Sequence, residues 1–320
     1  MDKIREIYNE IMVMDAPQER QYTLVKIETD GVEVFYGKDS DDNPVFSVIS
    51  HNAQLRPTIQ KTKKLIFWFN AICSIKGDDA NAEEIMNVLT CLSHNENEIV
   101  AFIRLSLAFI SDASEQSVKS LSELFTSLTN LFANAHKAST VELQGFFGEL
   151  YAIKYFNDLG INLGDYWQKK EKMKFDFSIS FQKKIEVKTT TNELRIHHFR
   201  HEQLLSDLYD IFVISILLRD DDSGLSLLEL IKDVQIIAKT NFNTLMYIED
   251  FVKNFDESEL SSIRFDTGYV DRNLHIFKAQ DVPRFKEEQP LGVSKTEYDS
   301  DLTNSRHISN EEFIAWLLNV

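Results

Sequence analysis

The sequence predicts a mixed α and β protein, of the α+β or α/β class, and three observations carry that reading. Up to about residue 75, short runs rich in Val, Ile, Phe and Tyr are separated by Asp, Asn and Gly, which is the pattern of a β meander. From about Asp79 to Leu159 the apolar residues recur three and four apart, the helical period. Beyond Gly160, alternating strand patterns and helical patterns interleave to the end of the chain. The expected organisation is therefore a β-rich module over 1–75, a helical segment over 76–138, and a larger mixed domain over 139–320.

The elements follow in order. Asp2 to Met14 has the spacing of a short amphipathic helix, and YTLVKI, GVEVFYG, NPVFSVIS and KKLIFWF read as strands broken at Asp30-Gly31 and at the polar cluster from Asp39 to Asn43. The stretches 82–93, 97–110 and 115–135 read as helices, with Asp112 and Ser114 as caps between the last two. A further helix is expected from Ser139 or Thr140 to Gly160, where glycine stands in its usual place beyond a helix end. Strands are expected at 175–181, 184–190 and 194–199, a helix over 201–209, and an apolar strand at 211–218. Helices near 225–238 and 241–253, strands near 262–278 and 291–298, and a helix from Ser309 complete the pattern.

Composition limits the function classes. The 320 residues carry 34 Lys+Arg against 51 Asp+Glu, a net charge of −17, which repels a polyanion unless positive charge is gathered locally. Such gathering exists: residues 169–201 hold nine Lys+Arg and four acids, a local +5 against −22 for the rest. Cys73 and Cys91 form no CxxC pair and have no histidine grouping, which argues against zinc and fits a reducing compartment. The first twenty residues lack the apolar core of a signal peptide, and apolar runs such as Ile211 to Leu218 fall far short of a membrane span. The expectation is a cytoplasmic protein with no membrane association. There is no GxGxxG, Walker loop, GxSxG elbow or HExxH motif.

Carboxylates in unusual places point to chemistry. On the helical wheel Glu149 shares a face with Gly145, Phe146, Ala152, Ile153 and Phe156, and Glu142 lies two turns earlier on it. A charge in an apolar stripe must be paired, bound to metal or neutralised. Gly145 and Gly148 lower helix propensity and point to close approach of this helix to a sheet. In KIEVKTT, Glu186 and Lys188 project from one face of a strand, about 6.6 Å apart along it. In FDFSISF, Asp176, Ser178 and Ser180 oppose the aromatic face. Two acids and a helical glutamate can hold a hard divalent cation through oxygen, and a neighbouring lysine can steady developing phosphate charge. Convergence of Asp176 with Glu186 requires hairpin partners whose numbers sum to an even value. The expected sum is 364, setting Asp176 across from Lys188 and Ser178 across from Glu186.

An Asp on one strand, Glu-Val-Lys on the next and a preceding helix with a Glu resemble the PD-(D/E)XK phosphodiesterase superfamily. More narrowly, GFFGELYAIKYF, DFSI, IEVKTTT, RIHHFRHEQL and DVPRF…QPLGVSKTEYDSDL resemble an uncharacterised bacterial family of restriction-endonuclease-like proteins. The similarity is strongest over 139–218, and Phe175 stands where the superfamily name has proline. The resemblance implies a restriction-endonuclease-like core, with a mixed central sheet flanked by helices. It implies Asp176, Glu186 and Glu149 as ligands of Mg²⁺ (or Mn²⁺), Lys188 as the signature lysine, and Gln203 as an added polar site residue. Hydrolysis of duplex DNA, approached through the 169–201 basic segment, is the implied activity, in restriction or defence against foreign DNA. A homodimer would address both strands, although the sequence shows no interface signature. Two alternatives are a weak or inactive subunit that binds protein or nucleic-acid partners in a defence complex, and a nuclease acting on RNA.

Overall fold

The computed structural model describes residues 3–19, 21–29, 32–50, 57–76, 81–112, 118–133, 138–168, 174–205, 208–285, 290, 292–293 and 295–319. In chain order the elements are α1 (Lys3–Val13), β1 (Tyr22–Thr29), β2 (Val32–Asp39), β3 (Pro44–Ile49), β4 (Thr58–Lys61), β5 (Leu65–Lys76), β6 (Asn81–Cys91), α2 (Glu96–Asp112) and α3 (Val118–Ala133). There follow α4 (Thr140–Asp158), β7 (Phe177–Ser178), β8 (Lys183–Thr190), β9 (Ile196–Arg200), β10 (Asp210–Leu217), β11 (Asp220–Ser226), α5 (Leu227–Ile237) and α6 (Phe242–Val252). The chain ends with α7 (Glu257–Ser262), β12 (Arg264–Phe265), α8 (Thr267–Asn273), β13 (Leu274–Lys278), β14 (Glu297–Asp301) and α9 (Asn310–Leu318). Among the described residues no helix is long and apolar enough to cross a membrane.

Two compact units result. One comprises Met1–His136 with Lys239–Asn254, the other Lys137–Ala238 with Phe255–Val320. The chain is thus not three consecutive segments: 239–254 returns to the first unit, and the strand at 81–91 belongs to its sheet.

The first unit is built on an antiparallel sheet in the order β1-β2-β3-β6-β5-β4. The helix expected over 82–93 is instead β6. Its Ile85, Met86, Val88 and Leu89 satisfy a helical spacing, but in a strand Met86 and Val88 take one face and Ile85 and Leu89 the other, and β6 pairs with β3 on one side and β5 on the other. Cross-strand pairs such as Leu89 with Phe67 and Ile85 with Ile72 outweigh the local period. Asn70, at φ 47°, forms a bulge that shifts the register of β5, and the Asn87 side chain accepts its backbone N–H at 3.1 Å. Val45, Ala71, Met86 and Val88 form a buried cluster in this sheet. Gly37 admits the close approach of β1, since a Cβ there would stand 1.8 Å from the Thr23 carbonyl oxygen. Gly37→Ala is expected to destabilise this unit by about 3 kcal/mol, read as a lower urea midpoint, because backbone has to move.

The second unit holds a mixed sheet in the order β13-β10-β8-β7. The apolar β10 lies at its centre, parallel to β8 and antiparallel to β13, buried on both faces as a run without polar alternation requires. Beneath the sheet, Phe175, Phe199, Leu204, Ile211, Val213, Phe277 and Leu302 contribute to one core cluster. α4 starts on a capping box in which Ser139 and Glu142 bond each other's backbone N–H, so Glu142 serves the helix end and not the site. Past α4, Gly160 takes φ 84°.

Three local expectations change. Of the helix expected over 201–209, the described residues hold a 3-10 turn, His201–Leu204, where Gln203 accepts the Arg200 backbone N–H, while 206–207 lie outside the described residues. The strand expected over 262–278 is interrupted by α8, which Asp266 caps by accepting the Tyr269 N–H. The strand expected over 175–181 contracts to β7.

Candidate active site

The site lies in the second unit and begins with β8. A Cβ on Gly148 would stand 2.2 Å from Thr189 Cγ2 and 3.5 Å from Val187 Cγ1, so α4 lies against the Val187 and Thr189 face of the strand. By alternation Glu186 and Lys188 project from the opposite face. The close approach expected from the glycines is realised at Gly148.

Pairing of β7 with β8 sets Phe177 opposite Ile185 and Ser178 opposite Lys184. The partners sum to 362, so the parity is the expected one but the register is one pair from the expected 364. Continuing it by one residue sets Asp176 across from Glu186 instead of Lys188. Asp176 is buried, and its Oδ2 accepts the Val187 backbone N–H at 2.7 Å. The carboxylate thereby takes a hydrogen bond that the two-residue strand β7 is too short to supply.

Glu186 is also buried. Its Oε1 accepts from Lys188 Nζ at 2.8 Å and from Gln203 Nε2 at 2.6 Å. Gln203 closes the loop by accepting from Lys188 at 3.2 Å, and the Lys188 ammonium stands 5.2 Å from the centre of the Phe199 ring. Asp176, Glu186, Lys188 and Gln203 are therefore brought to one neighbourhood.

Glu149 is placed differently. It is buried on α4, and Trp167 Nε1 donates to its Oε2 at 2.8 Å. Trp167 stacks between Phe146 and Phe177 and forms a β-bridge with Phe177, while the Gln168 N–H donates to the Asp176 carbonyl at 2.8 Å. Among the described residues no group of three His, Cys, Asp or Glu side chains could hold a metal ion. Asp176, Glu186 and Glu149, expected as three ligands, form no such group among the described residues. The pair Asp176 and Glu186 does fit Mg²⁺ or Mn²⁺ in donor chemistry: both donors are carboxylate oxygens, and Mg²⁺ takes one or two of these with water and phosphate.

Behind Lys188 lies a buried polar chain. Ser215, the register partner of Lys188 on β10, contacts His197 Nε2 at 2.7 Å and accepts from Arg195 at 2.9 Å. Burial, reinforced by the charges of Lys188 and Arg195, lowers the His197 pKa to about 3 against a bond to the Thr189 backbone that raises it. An unfolded histidine titrates near 6.5. Between those values the unfolded chain binds a proton that the folded chain refuses, so stability is lost as pH falls below about 6.5. Denaturant midpoints measured from pH 7 to 4 are expected to fall for the parent and to fall less for His197→Asn. His275, lowered to about 4 by burial and by the charges of Arg195 and His307, contributes in the same direction, so the variant's limb is flatter but not absent.

Among its described residues the basic segment has its charges engaged by neighbours. Lys169, Lys170 and Lys172 lie outside the described residues. Arg195 is buried and His197 is buried; Lys183 donates to the Trp316 and Asn319 carbonyls, and Lys184 to Ser178 and the Ser180 carbonyl. Lys174 pairs with Glu202, Arg200 with Glu297, and His198 with Glu297 and Asp299. Long-range acids from β14, Glu297 and Asp299, are invisible to a local count and meet Arg200 and the His198 ring. A cleft of about 450 Å³ is lined by Arg200, His201, Glu202, Lys295, Thr296 and Glu297. Its first three residues share the turn that carries Gln203.

Sequence reasoning missed Trp167, Ser215 and Phe199. Trp167 carried a usable signal, because a buried indole N–H requires an acceptor and Glu149 was a buried carboxylate seeking a donor. Ser215 announced itself only as the one polar residue inside an apolar strand.

No curated protein and no solved structure matches the chain. A family model does, over residues 4–303, described as "Putative PD-(D/E)XK family member, (DUF4420)". The superfamily in question consists generally of nucleases that usually use divalent metals. With its mixed sheet, flanking helices and Asp176…Glu186-Val-Lys188 signature, the chain belongs to this DUF4420 family, with a restriction-endonuclease-like fold.

Proposed function

We propose that the protein is a metal-dependent nuclease that hydrolyses phosphodiester bonds of DNA. The observation that carries this reading is the buried face on which Asp176, Glu186 and Lys188 meet, with Gln203 bonded to both Glu186 and Lys188. Asp176 and Glu186 would hold Mg²⁺ or Mn²⁺. Such an ion supplies a Lewis acid for the phosphoryl oxygen and lowers the pKa of water at the site. Glu149 is not proposed as a direct ligand.

The chain's own groups have separable tasks. The Val187 N–H fixes the Asp176 carboxylate against the neighbouring strand. Lys188 Nζ, held by Glu186 and Gln203, stands where it can steady negative charge developing on a phosphate. Phe199 forms an apolar floor beneath it, which strengthens these charge interactions. Duplex DNA would approach past the cleft lined by Arg200 and Lys295, with Arg200 exchanging its Glu297 partner for a phosphate, and a homodimer would serve both strands. The resemblance of the sequence motifs to restriction-endonuclease-like proteins supports a cytoplasmic role in defence against foreign DNA, with protein partners meeting the acidic surface.

A second reading is favoured by one observation: Glu186 is already engaged by Lys188 and Gln203. On that reading the chain is a weak or inactive subunit of a defence complex. Incubating the protein with labelled duplex DNA, single-stranded DNA and RNA separates the readings. Cleavage of DNA with Mg²⁺ or Mn²⁺ and none with chelator supports the nuclease. Absence of cleavage with either ion supports the subunit, and cleavage of RNA alone overturns the choice of substrate.

A further inference from the structure

We infer that Glu149 is a positioning residue: through the Trp167 indole it holds the strand segment that sets Asp176 against the Glu186-Val187 peptide. The inference deepens the proposed function and rests on it for the importance of Asp176, though its physical content can be measured separately.

The linkage runs through named contacts. Glu149 is 1% exposed, yet it sits in a helix whose neighbours Phe146, Leu150, Ala152 and Ile153 are buried and apolar. A carboxylate is expensive in such surroundings unless it does something an apolar side chain cannot. Here its Oε2 accepts from Trp167 Nε1 at 2.8 Å, and the indole is clamped between the rings of Phe146 on α4 and Phe177 on β7. Trp167 is in turn the β-bridge partner of Phe177, and the next residue, Gln168, donates its N–H to the Asp176 carbonyl. Asp176 is therefore gripped on its backbone by the Trp167 segment and on its side chain by Val187. β7 is only two residues long and cannot fix its own register strongly. The Glu149–Trp167 bond supplies a fixed point on α4, which Gly148 lets lie close against β8. Helix, bridge segment and strand thus triangulate Asp176.

This role differs from that of a metal ligand in what it demands chemically. A positioning role needs an acceptor oxygen for the indole; a ligand role needs a carboxylate. Glu149→Gln keeps the acceptor, Glu149→Leu removes it, and Trp167→Phe removes only the donor while keeping a ring in the stack. The first measurement is amide hydrogen exchange on the full chain without metal, following the Val187 N–H relative to the amides of β10. Exchange is expected to be at least about 10-fold faster in Glu149→Leu and Trp167→Phe, and within about threefold of the parent in Glu149→Gln, since weakening one support opens the bond locally. Trp167→Phe keeps the test standing even where Glu149→Leu does not fold.

The second measurement is calorimetric titration with Mn²⁺. Loss of the support is expected to weaken binding by about 10–100-fold in Glu149→Leu and Trp167→Phe, as for other groups that orient a ligand from outside it. Glu149→Gln should stay near the parent. Unchanged Val187 exchange in Trp167→Phe overturns the inference. So does a Glu149→Gln variant that loses Mn²⁺ while its Val187 exchange stays at the parent rate, because that pattern belongs to a ligand. A parent protein that binds no Mn²⁺ overturns the metal-dependent reading instead, and the exchange data still decide whether Glu149 positions Asp176.

Discussion

Lys188→Ala, Glu186→Gln and Asp176→Asn are each expected to lower Mg²⁺-dependent DNA cleavage by at least about 10²–10³-fold, the range found when one preorganised charge-stabilising group is removed. The three losses should not multiply in combination, because Glu186 bonds Lys188 directly and Asp176 bonds the backbone N–H of Val187, which lies between them. Gln203→Ala is expected to have a smaller effect. It removes the amide that donates to Glu186 and accepts from Lys188, but leaves both charges in place at 2.8 Å. Parent activity retained in Lys188→Ala and Asp176→Asn alike would sink the nuclease reading and favour the subunit.

Arg195→Ala is expected to produce the largest loss of stability in the second unit. The guanidinium is buried and donates to the Ser215 carbonyl at 3.0 Å, the Ser215 hydroxyl at 2.9 Å and the Asn273 carbonyl at 2.6 Å. It therefore joins the segment before β9 to β10 and to the last residue of α8. At about 1–3 kcal/mol for each buried acceptor left unsatisfied, with water able to replace part of the loss, a decrease of about 4 kcal/mol in unfolding free energy is expected. Urea unfolding at pH 7 measures it. A change below about 1 kcal/mol would mean that Arg195 is a surface charge in solution, as the count of basic residues over 169–201 had treated it.

That contrast between a counted charge and a placed one recurs along the chain. α4 was legible because a Ser-x-x-Glu cap, a helical period and Gly160 all mark the same element. β8 and β10 were legible because alternation and an unbroken apolar run are properties of the strand itself. β6 was not, since Ile85, Met86, Val88 and Leu89 fit either period, and pairing with β3 and β5 decides between them. At the site, the type and order of Asp176, Glu186 and Lys188 could be read directly, as could the even parity of their hairpin. The register itself could not, because it depends on where β7 stops and on a side chain taking a ladder hydrogen bond.

The sequence alone determined which residues can carry charge chemistry and on which elements they ride: a glutamate on a helix, an aspartate before a short strand, and a Glu-Val-Lys strand. Tertiary structure decided which of them meet. It brought Asp176, Glu186, Lys188 and Gln203 together, gave Glu149 the Trp167 indole as a donor, and divided the described cations of the basic segment among carbonyl, hydroxyl and carboxylate partners. The physical reason is range. Periodicity and capping are set within a few residues, whereas face, register and charge pairing are fixed by partners that packing selects from far along the chain.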